Sequence, residues 1–300
     1  MKILLTGARG QLGRELHRQL PMLGEILALD RTACDLSRPE RIPKLIGDFK
    51  PDIIVNAAAY TAVDQAEEEE ALATTINATA VGVMAEQARK HNALLLHYST
   101  DYVFDGTKHE PYTEEDIPNP INAYGRSKLA GEEAIRQSDC EHLIVRTSWV
   151  YSAHGNNFVN TMLKLAASNN QLRIVKDQTG SPTSVELIAD VSALALYKLK
   201  NDPEAENSRV GTYHLTASGE TSWHGLASYA IEQALHQGVI LKAKPENIVP
   251  ILTREYPTAA ARPQNSRLNT CKLESWLGVD FPQWQCHVKR MVTETISEVN

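Results

Sequence analysis

The sequence predicts an α/β fold in which a doubly wound parallel sheet carries helices on both faces. Up to about residue 150, short apolar runs alternate with stretches whose apolar residues recur at helical spacing, a pattern that favours parallel βαβ units. Polar and turn-forming residues follow these apolar runs directly, at the edge of a parallel sheet where ligands bind. Beyond Trp149 the pattern is less regular, which predicts a second, smaller α/β lobe that covers this edge.

The composition excludes several classes of protein. Three hundred residues suffice for two moderate domains, and a net charge of −7 argues against a general nucleic-acid surface. No apolar run is long enough for a membrane span, and the first one is too short for a signal peptide. The four cysteines lie far apart without metal-ligand spacing, which predicts a cytoplasmic protein; they are Cys34, Cys140, Cys271 and Cys286.

The first predicted strand, residues 2–6, leads into a glycine-rich turn. Gly7, Gly10 and Gly13 are spaced Gly-x-x-Gly-x-x-Gly, and a helical pattern follows as far as Pro21. Glycines here let the backbone approach a pyrophosphate, and a helix N-terminus attracts the anion. The pattern predicts an NAD(P)-binding Rossmann-type domain over residues 1–150; the alternative is a turn without a ligand. Residues 151–300 are then mainly a substrate-binding lobe, with some segments returning to the first domain.

The second predicted strand, residues 25–30, ends on Asp30. An acid at this place commonly accepts hydrogen bonds from the adenosine ribose. Arg31 follows directly and could instead pair with a 2′-phosphate, so the sequence leaves NADH and NADPH open. Asp35 and Leu36 lie in the loop before the next helix, where an adenine ring would sit.

Small residues follow the third predicted strand, residues 52–56. The loop at residues 57–61 contains three alanines, which would let a cofactor lie against the backbone; the alternative is a surface for helix packing. Further on, Asn77 is a polar residue in an apolar helical stripe. It either bonds a neighbouring carbonyl or holds a water molecule in a proton relay.

Tyr124 and Lys128 form the candidate catalytic pair. Both fall in a predicted helix at residues 123–137, where side chains four apart share a face. Because an ammonium beside a phenol favours the phenolate, we expect the pKa of Tyr124 to be lowered from about 10, which would suit a general acid or base. Thr100, which ends the strand predicted from residue 94, is expected to bond the same oxygen. The alternative is an ordinary surface pair.

Further elements are predicted by the same patterns. We expect strands at 142–146, 172–175 and 211–215, and helices at 158–167, 185–199, 223–236 and 283–298.

Together these motifs resemble the extended short-chain dehydrogenase/reductase family. The general resemblance rests on Thr6-Gly-x-x-Gly-x-x-Gly13, Asn56-Ala-Ala-Ala59, Asn77, Ser99-Thr100 and Tyr124-x-x-x-Lys128. A narrower resemblance, to members that act on dTDP-linked 4-keto sugars, extends over nearly the whole chain. It rests on His97-Tyr-Ser-Thr-Asp-Tyr-Val-Phe-Asp-Gly106, Tyr124-Gly-x-Ser-Lys-Leu-x-Gly-Glu132, Arg146-Thr-Ser-Trp-Val-Tyr151, Asn156-Asn-Phe158, Asp177-Gln-x-Gly-Ser-Pro-Thr183 and Ala261-Arg-Pro-x-Asn-Ser-Arg-Leu268.

The resemblance implies an enzyme that transfers hydride from NADPH or NADH to the C4 ketone of dTDP-4-dehydro-L-rhamnose. Tyr124 would donate the proton, Thr100 would bond the same oxygen, and Lys128 would hold the nicotinamide ribose. The implied cofactor contacts are Gly7, Gly10, Gln11, Leu12, Gly13, Asp30, Arg31, Asp35, Leu36, Ala59, Tyr60, Thr61, Asn77, Tyr98, Tyr124 and Lys128. The implied substrate contacts are Thr100, Asp101 and Trp149.

We add Arg262 as a candidate for the substrate pyrophosphate, because a bidentate guanidinium suits phosphate oxygens. The alternative is an arginine that braces a proline-containing loop. The resemblance also implies homodimers in which glutamates gather around a structural Mg²⁺. The corresponding positions are Glu15, Glu186 and Glu294, and solvated carboxylates on helices are the alternative.

Two other functions are compatible with this sequence. One is a sugar-nucleotide epimerase or dehydratase on the same scaffold, for which Asp101 would supply an additional acid or base. The other is a non-catalytic regulatory subunit resembling that of methionine adenosyltransferase. Retention of Thr100, Tyr124 and Lys128 together favours catalysis.

Overall fold

The computed structural model describes residues 1–201 and 211–297, which contain ten α-helices and twelve strands. The helices are α1 (Gln11–Gln19), α2 (Ile42–Phe49), α3 (Glu70–Thr74), α4 (Ala80–His91), α5 (Ala123–Gln137), α6 (Phe158–Ser168), α7 (Val185–Asn201), α8 (Trp223–His236), α9 (Cys271–Leu277) and α10 (Trp284–Ser297). The strands are β1 (Lys2–Thr6), β2 (Glu25–Leu29), β3 (Ile53–Asn56), β4 (Leu94–Thr100), β5 (His142–Thr147), β6 (Val150–Tyr151), β7 (Leu172–Val175), β8 (Thr179–Gly180), β9 (Thr183–Ser184), β10 (Gly211–His214), β11 (Thr221–Ser222) and β12 (Ile248–Ile251).

Six strands form one parallel sheet in the order β10-β5-β4-β3-β1-β2. The register places Thr6 beside Asn56, and Thr100 beside Thr147. The carboxyl ends of the central strands therefore lie along one edge, which brings the segments that follow them close together. The prediction of a doubly wound parallel α/β fold is confirmed.

Alternate side chains of each strand enter two different cores. On β1, Ile3 packs in the core that includes Leu16 of α1, and its neighbour Leu4 packs in the core that includes Ile46 of α2. This alternation follows from the period of two in a strand. Both faces are buried, which explains why the strands are almost uninterrupted apolar runs.

The second half of the chain does not form a separate block. The parallel pair β7 and β12 lies with α6 and α8 outside the main sheet, whereas β10 joins the main sheet beside β5 and α7 packs against α1. The division into residues 1–150 and 151–300 therefore stays a proposal. Residues 202–210 and 298–300 of the second part lie outside the described residues.

Apart from the two-residue strands β6, β8, β9 and β11, two elements of the described chain were not predicted from the sequence. The strand β12 contains Pro250, a residue that argues against a strand, but β12 lies in a two-stranded sheet whose partner is β7. Helix α9 has only seven residues, too few to show a clear helical period. None of the helices in the described part of the chain combines the length and the apolar character needed to cross a membrane.

A buried ion pair joins α5 to the sheet. Glu132 on α5 accepts two hydrogen bonds from Arg146 on β5, at 2.8 and 2.6 Å, and both side chains are at most 2% exposed. Burial alone would raise the pKa of Glu132, but Arg146 and the half-exposed Arg136 offset it, and the pKa is lowered. The pair fixes the distance between the helix and the end of the sheet.

We expect Arg146→Met to reduce the free energy of unfolding by about 3 to 5 kcal/mol, because it leaves the Glu132 carboxylate buried without its main partner. The matched control is Arg136→Met, which removes a more exposed arginine from the same carboxylate and should cost about 1 kcal/mol or less. Denaturant unfolding of both variants measures the difference. Equal losses of unfolding free energy in the two variants would contradict the larger stabilisation that we assign to the buried pair.

Candidate active site

The first turn of α5, which carries Tyr124, is tied to two distant loops. Asn122 caps the helix by accepting a hydrogen bond from the Gly125 N–H at 2.8 Å, and its amide donates to the Ala261 carbonyl at 2.9 Å. The Glu67 carboxylate accepts from the Ala123 N–H at 2.8 Å. An acid at a helix N-terminus is favourable. Glu67 begins a run of four glutamates, a pattern that by itself favours a solvated helix face.

Tyr124 lies half-buried beside the end of β4. Its side chain interacts with that of Thr100, and its ring meets the Tyr102 ring edge-on at 5.8 Å. The Thr100 hydroxyl donates to Asp101 Oδ1 at 3.0 Å and accepts from the Tyr102 N–H at 3.1 Å. The structure therefore brings the predicted pair of Tyr124 and Thr100 together.

The predicted direction of the Tyr124 pKa shift was wrong. Burial is the largest cause and the charge of Asp101 the second, and together they raise the pKa of Tyr124 to about 12. The hydrogen bond with Thr100 acts in the opposite direction and lowers this pKa. Lys128 does not counteract this rise in the pKa, because its amine donates to the Tyr98 carbonyl at 2.6 Å. Tyr124 therefore keeps its proton at neutral pH in the ligand-free chain.

Lys128 is buried against β4. Its Nζ lies 3.1 Å from Nε2 of His97, and Nδ1 of His97 lies 3.1 Å from the Asn56 amide nitrogen. Burial lowers the pKa of Lys128 to about 8, and burial together with Lys128 lowers the pKa of His97 well below its usual range. His97 was not among the predicted site residues. Its signal in the sequence is a titratable side chain inside an apolar strand.

The glycine turn after β1 packs tightly against the loop after β3. Gly7 has a φ of +69°, and a Cβ there would lie 2.8 Å from backbone atoms of Ala57 and Ala58. A Cβ on Gly13 would lie 2.0 Å from the Gly7 carbonyl oxygen. Larger residues would push the turn away from the sheet edge. Glycine is thus required at both positions by geometry.

Asp30 is held in place at the end of β2. Its carboxylate accepts from the hydroxyl of Thr32 at 2.6 Å and pairs with Arg9 at 2.9 Å. The Thr32 hydroxyl and the Ala33 N–H are the main groups that lower the pKa of Asp30. Asp30 lines a surface cavity of about 540 Å³. The other lining residues are Arg9, Arg31, Thr32, Asp35, Arg38 and Arg41.

Asn77 connects the loop after β3 to α5. It lies in a π-helical turn between α3 and α4, accepts from the Tyr60 N–H at 2.9 Å and donates to the Tyr60 carbonyl at 3.0 Å. Its amide also donates to the Ser127 hydroxyl at 3.0 Å. Of the two alternatives, the structure shows the bond to a neighbouring carbonyl. π-helical turns are frequent at functional sites, and this one fixes the predicted cofactor loop.

Three of the other predicted cofactor residues have partners within the chain. Gln11 accepts from the Ser152 hydroxyl at 2.9 Å, which ties the start of α1 to the loop after β6. The Tyr98 side chain is buried and bonds Ser192 of α7 at 2.8 Å, so it turns away from α5. Leu36 is buried in the core beneath α2.

Two of the predicted substrate residues lie at the ends of β4 and β5. Asp101 is 4% exposed, and its Oδ2 has no hydrogen-bond partner among the described residues. Burial raises the pKa of Asp101 to about 7, against the effects of Ser266 and Thr100. Trp149 adopts a left-handed backbone with φ of +48°, a strained conformation typical of functional sites.

The Trp149 side chain is part of an aromatic stack that the sequence did not predict. Its ring stacks on that of Trp223 with centroids 3.6 Å apart, and a Cβ on Gly180 would lie 2.5 Å from it. The Trp223 indole donates to Gln178 at 3.0 Å. Residues of the second half of the chain therefore hold Trp149 at the sheet edge.

Arg262 lies near the same edge. Its Nη2 donates to Asp64 at 2.7 Å, and its guanidinium lies 5.9 Å from the centre of the Tyr102 ring. Its Nη1 is buried and has no partner among the described residues. Arg262 thus joins two loops, and one of its buried guanidinium nitrogens lacks a partner among the described residues.

The three predicted magnesium ligands line one cavity of about 210 Å³. Glu15 pairs with Arg18, and Glu294 pairs with Arg290, both at 2.8 Å. Burial raises the pKa of Glu186, and Glu15 and Glu294 add to the effect. In the described ranges, no group of three or more histidine, cysteine, aspartate or glutamate side chains could hold a metal ion. The residues of one chain therefore do not fit a magnesium site.

The chain is similar to known proteins over nearly its whole length. The family model described as RmlD substrate binding domain matches residues 1–297. A dTDP-4-dehydrorhamnose reductase of Salmonella typhimurium is 47% identical, over 98% of this chain and 98% of its own length. One from Escherichia coli K12 is 46% identical with the same coverage of both chains.

Solved structures agree with these matches. The structure of a dTDP-4-dehydrorhamnose reductase from Bacillus anthracis in complex with NADP has a TM-score of 0.86, at 36% identity, over 98% of this chain and 99% of that one. A UDP-glucose 4-epimerase from Thermus thermophilus has a TM-score of 0.78 over 99% of both chains, but at 19% identity this likeness shows the fold alone. By these matches, the chain belongs to the dTDP-4-dehydrorhamnose reductase family of extended short-chain dehydrogenase/reductases.

Proposed function

We propose that this chain reduces the C4 ketone of dTDP-4-dehydro-L-rhamnose to dTDP-L-rhamnose with hydride from NADPH or NADH. The observation that carries the proposal lies at the end of β4, on the same sheet edge as the glycine turn: Tyr124 interacts with Thr100, and Lys128 of the same helix bonds the Tyr98 carbonyl. Relatives named for this activity match nearly the full length, and the Bacillus anthracis relative was solved with NADP.

The residues of this chain account for the proton that reduction requires. A bound dihydronicotinamide supplies the hydride. As negative charge grows on the ketone oxygen, Tyr124 donates its phenolic proton, and the Thr100 hydroxyl would turn from Asp101 Oδ1 to donate to the same oxygen. Burial and Asp101 raise the pKa of Tyr124 to about 12, so the phenol is protonated at neutral pH, as a proton donor must be.

Three parts of the sheet edge would hold the cofactor. Gly10 precedes α1 and provides no side-chain cap for its N-terminus. The free N–H groups of this first turn therefore suit a pyrophosphate. Lys128 would bond the nicotinamide ribose and Asp30 the adenosine ribose. The cavity beside Asp30 is lined by four arginines and two aspartates, which suits a 2′-phosphate and supports the use of NADPH.

The substrate would lie against Asp101, Trp149 and Arg262. The Nη1 atom of Arg262, which has no partner among the described residues, would bond the pyrophosphate of the sugar nucleotide. The stacked Trp149 would offer an apolar surface beside the sugar.

A second function is favoured by one observation. The buried Asp101 carboxyl, with a pKa of about 7, could act as the additional acid or base that a dehydratase or epimerase needs. Incubation with NADPH and dTDP-4-dehydro-L-rhamnose separates the two, because only reduction consumes NADPH in a one-to-one ratio with substrate. NMR of the product sugar identifies the configuration at C4.

The homodimer and its magnesium ion stay predictions. Because Glu15 and Glu294 are each paired with an arginine, a magnesium ion would have to displace Arg18 and Arg290. Sedimentation with Mg²⁺ and with EDTA tests both points. A dimer that persists unchanged in EDTA would show that the ion is not needed for pairing.

We expect Tyr124→Phe to lower kcat by about two to four orders of magnitude, because the general acid is lost. The measurement is NADPH consumption with dTDP-4-dehydro-L-rhamnose, together with the Kd for NADPH, which should change little. Tyr197→Phe, at an exposed tyrosine on α7, is the matched control. Near-normal turnover in Tyr124→Phe would remove Tyr124 from the mechanism.

We expect Asp30→Ala to weaken NADH about tenfold or more, since a hydrogen bond to a charged group is lost, and to weaken NADPH less. The reason for the difference is that the carboxylate repels a 2′-phosphate and also occupies Arg9. Kd values for both cofactors measure the effect. Glu40→Ala removes an exposed acid that lies in the chain between two lining residues of the cavity, Arg38 and Arg41, and serves as control. Equal losses for both cofactors in Asp30→Ala would contradict the proposed role.

A further inference from the structure

A row of buried polar side chains runs from the end of β1 to the amine of Lys128. The Thr6 hydroxyl donates to Asn56 Oδ1 at 2.7 Å, Asn56 Nδ2 lies 3.1 Å from His97 Nδ1, and His97 Nε2 lies 3.1 Å from Lys128 Nζ. All four side chains are at most 2% exposed. Without access to water, each donor in the row has to face an acceptor.

The orientation of the Asn56 amide decides the tautomer of His97. The Ala58 backbone N–H, which can only donate, bonds Asn56 Oδ1 at 3.2 Å. The Nδ2 atom, also only a donor, therefore points to His97 Nδ1, which has to accept. A neutral imidazole with an unprotonated Nδ1 carries its proton on Nε2, directed at Lys128.

The protonated His97 Nε2 is a poor neighbour for an ammonium. A charged lysine has three N–H donors and no acceptor, so two donors would face each other across 3.1 Å. An uncharged amine has a lone pair that accepts from Nε2–H, and one of its N–H groups still bonds the Tyr98 carbonyl. The contact between His97 Nε2 and Lys128 Nζ is therefore matched only when Lys128 has lost a proton.

We propose that Asn56 and His97 are positioning residues that fix the Nε2–H tautomer and thereby stabilise the uncharged amine of Lys128. His97 acts through Lys128 and does not touch the reacting atoms. The other titratable group acting on Lys128 is Glu132 on its own helix, which favours the ammonium but is itself paired with Arg146 and Arg136. The lowered pKa of Lys128, about 8, agrees with this arrangement.

The use of this arrangement rests on the proposed function. After Tyr124 gives its proton to the alkoxide, a phenolate remains. A proton that reaches this phenolate from the Lys128 ammonium leaves an uncharged amine, which accepts a hydrogen bond from the Nε2–H of His97. The protonation states themselves do not depend on the identity of the substrate.

NMR of the ligand-free protein with ¹⁵N-labelled histidine tests the tautomer directly. We expect His97 at pH 9 to have a protonated Nε2 and an unprotonated Nδ1, its signals being assigned by their loss in His97→Gln. A protonated Nδ1 at this pH would overturn the proposal. Because no substrate is present, a failed reductase assay leaves this result unaffected.

Asn56→Asp provides the second test, because a carboxylate accepts where the amide donates. We expect His97 to switch to the Nδ1–H tautomer, and the ratio of uncharged to charged Lys128 at pH 8 to fall about tenfold. The ratio is measured by ¹⁵Nζ NMR of labelled lysine without ligand. The same Asn56→Asp substitution in a His97→Phe background isolates the effect of the new charge alone, because no imidazole is present there. A fall of the same size without His97 would overturn the proposal, and the wild-type tautomer decides the matter if Asn56→Asp does not fold.

Discussion

The active site depends on the burial of one face of α5 against the ends of β4 and β5. Tyr124, Lys128 and Glu132 are spaced four residues apart, so they share this face over three successive turns. Each has a partner at the sheet: Thr100 for Tyr124, the Tyr98 carbonyl for Lys128 and Arg146 for Glu132. Because the amine and the carboxylate are inaccessible to water, their partners have to match them closely, and this match fixes the rotation and height of the helix. The position of the phenol follows from that.

The sequence predicted the sheet and the location of the site well because both follow from local pattern. Buried parallel strands are apolar runs, and the residues after them share one edge. The sequence alone therefore predicts that Gly7, Asp30 and Thr100 lie along the same edge. The close approach at Gly13, where a Cβ would lie 2.0 Å from the Gly7 carbonyl oxygen, is likewise encoded in the spacing of the turn. The elements that escaped prediction, which are β12, α9 and the two-residue strands, are too short or too atypical for a periodic signal.

What the sequence did not predict depends on contacts between distant segments. The direction of the Tyr124 pKa shift was wrong because it depends on where the Lys128 amine points, and this is decided by His97 and the Tyr98 carbonyl on β4. Similarly, the Glu67 carboxylate is not a solvated charge but caps α5 from a loop more than fifty residues earlier in the chain. A helical spacing of four shows that two side chains share a face. It does not show whether their polar atoms meet.

The raised pKa of Tyr124 and that of Asp101 have a common origin, and together they favour reduction over dehydration. Burial is the largest cause of both shifts, and the charge of Asp101 raises the pKa of Tyr124 further. A phenol with a pKa of about 12 is a proton donor at neutral pH, and one such donor is sufficient when hydride comes from the cofactor. Asp101 already accepts the Thr100 hydroxyl at 3.0 Å, so its carboxylate has a structural use that needs no proton transfer. A dehydratase would require Asp101 to exchange a proton with the sugar. The hydrogen bond from Thr100 instead stabilises the unprotonated Asp101 carboxylate, and reduction does not change the charge of this carboxylate.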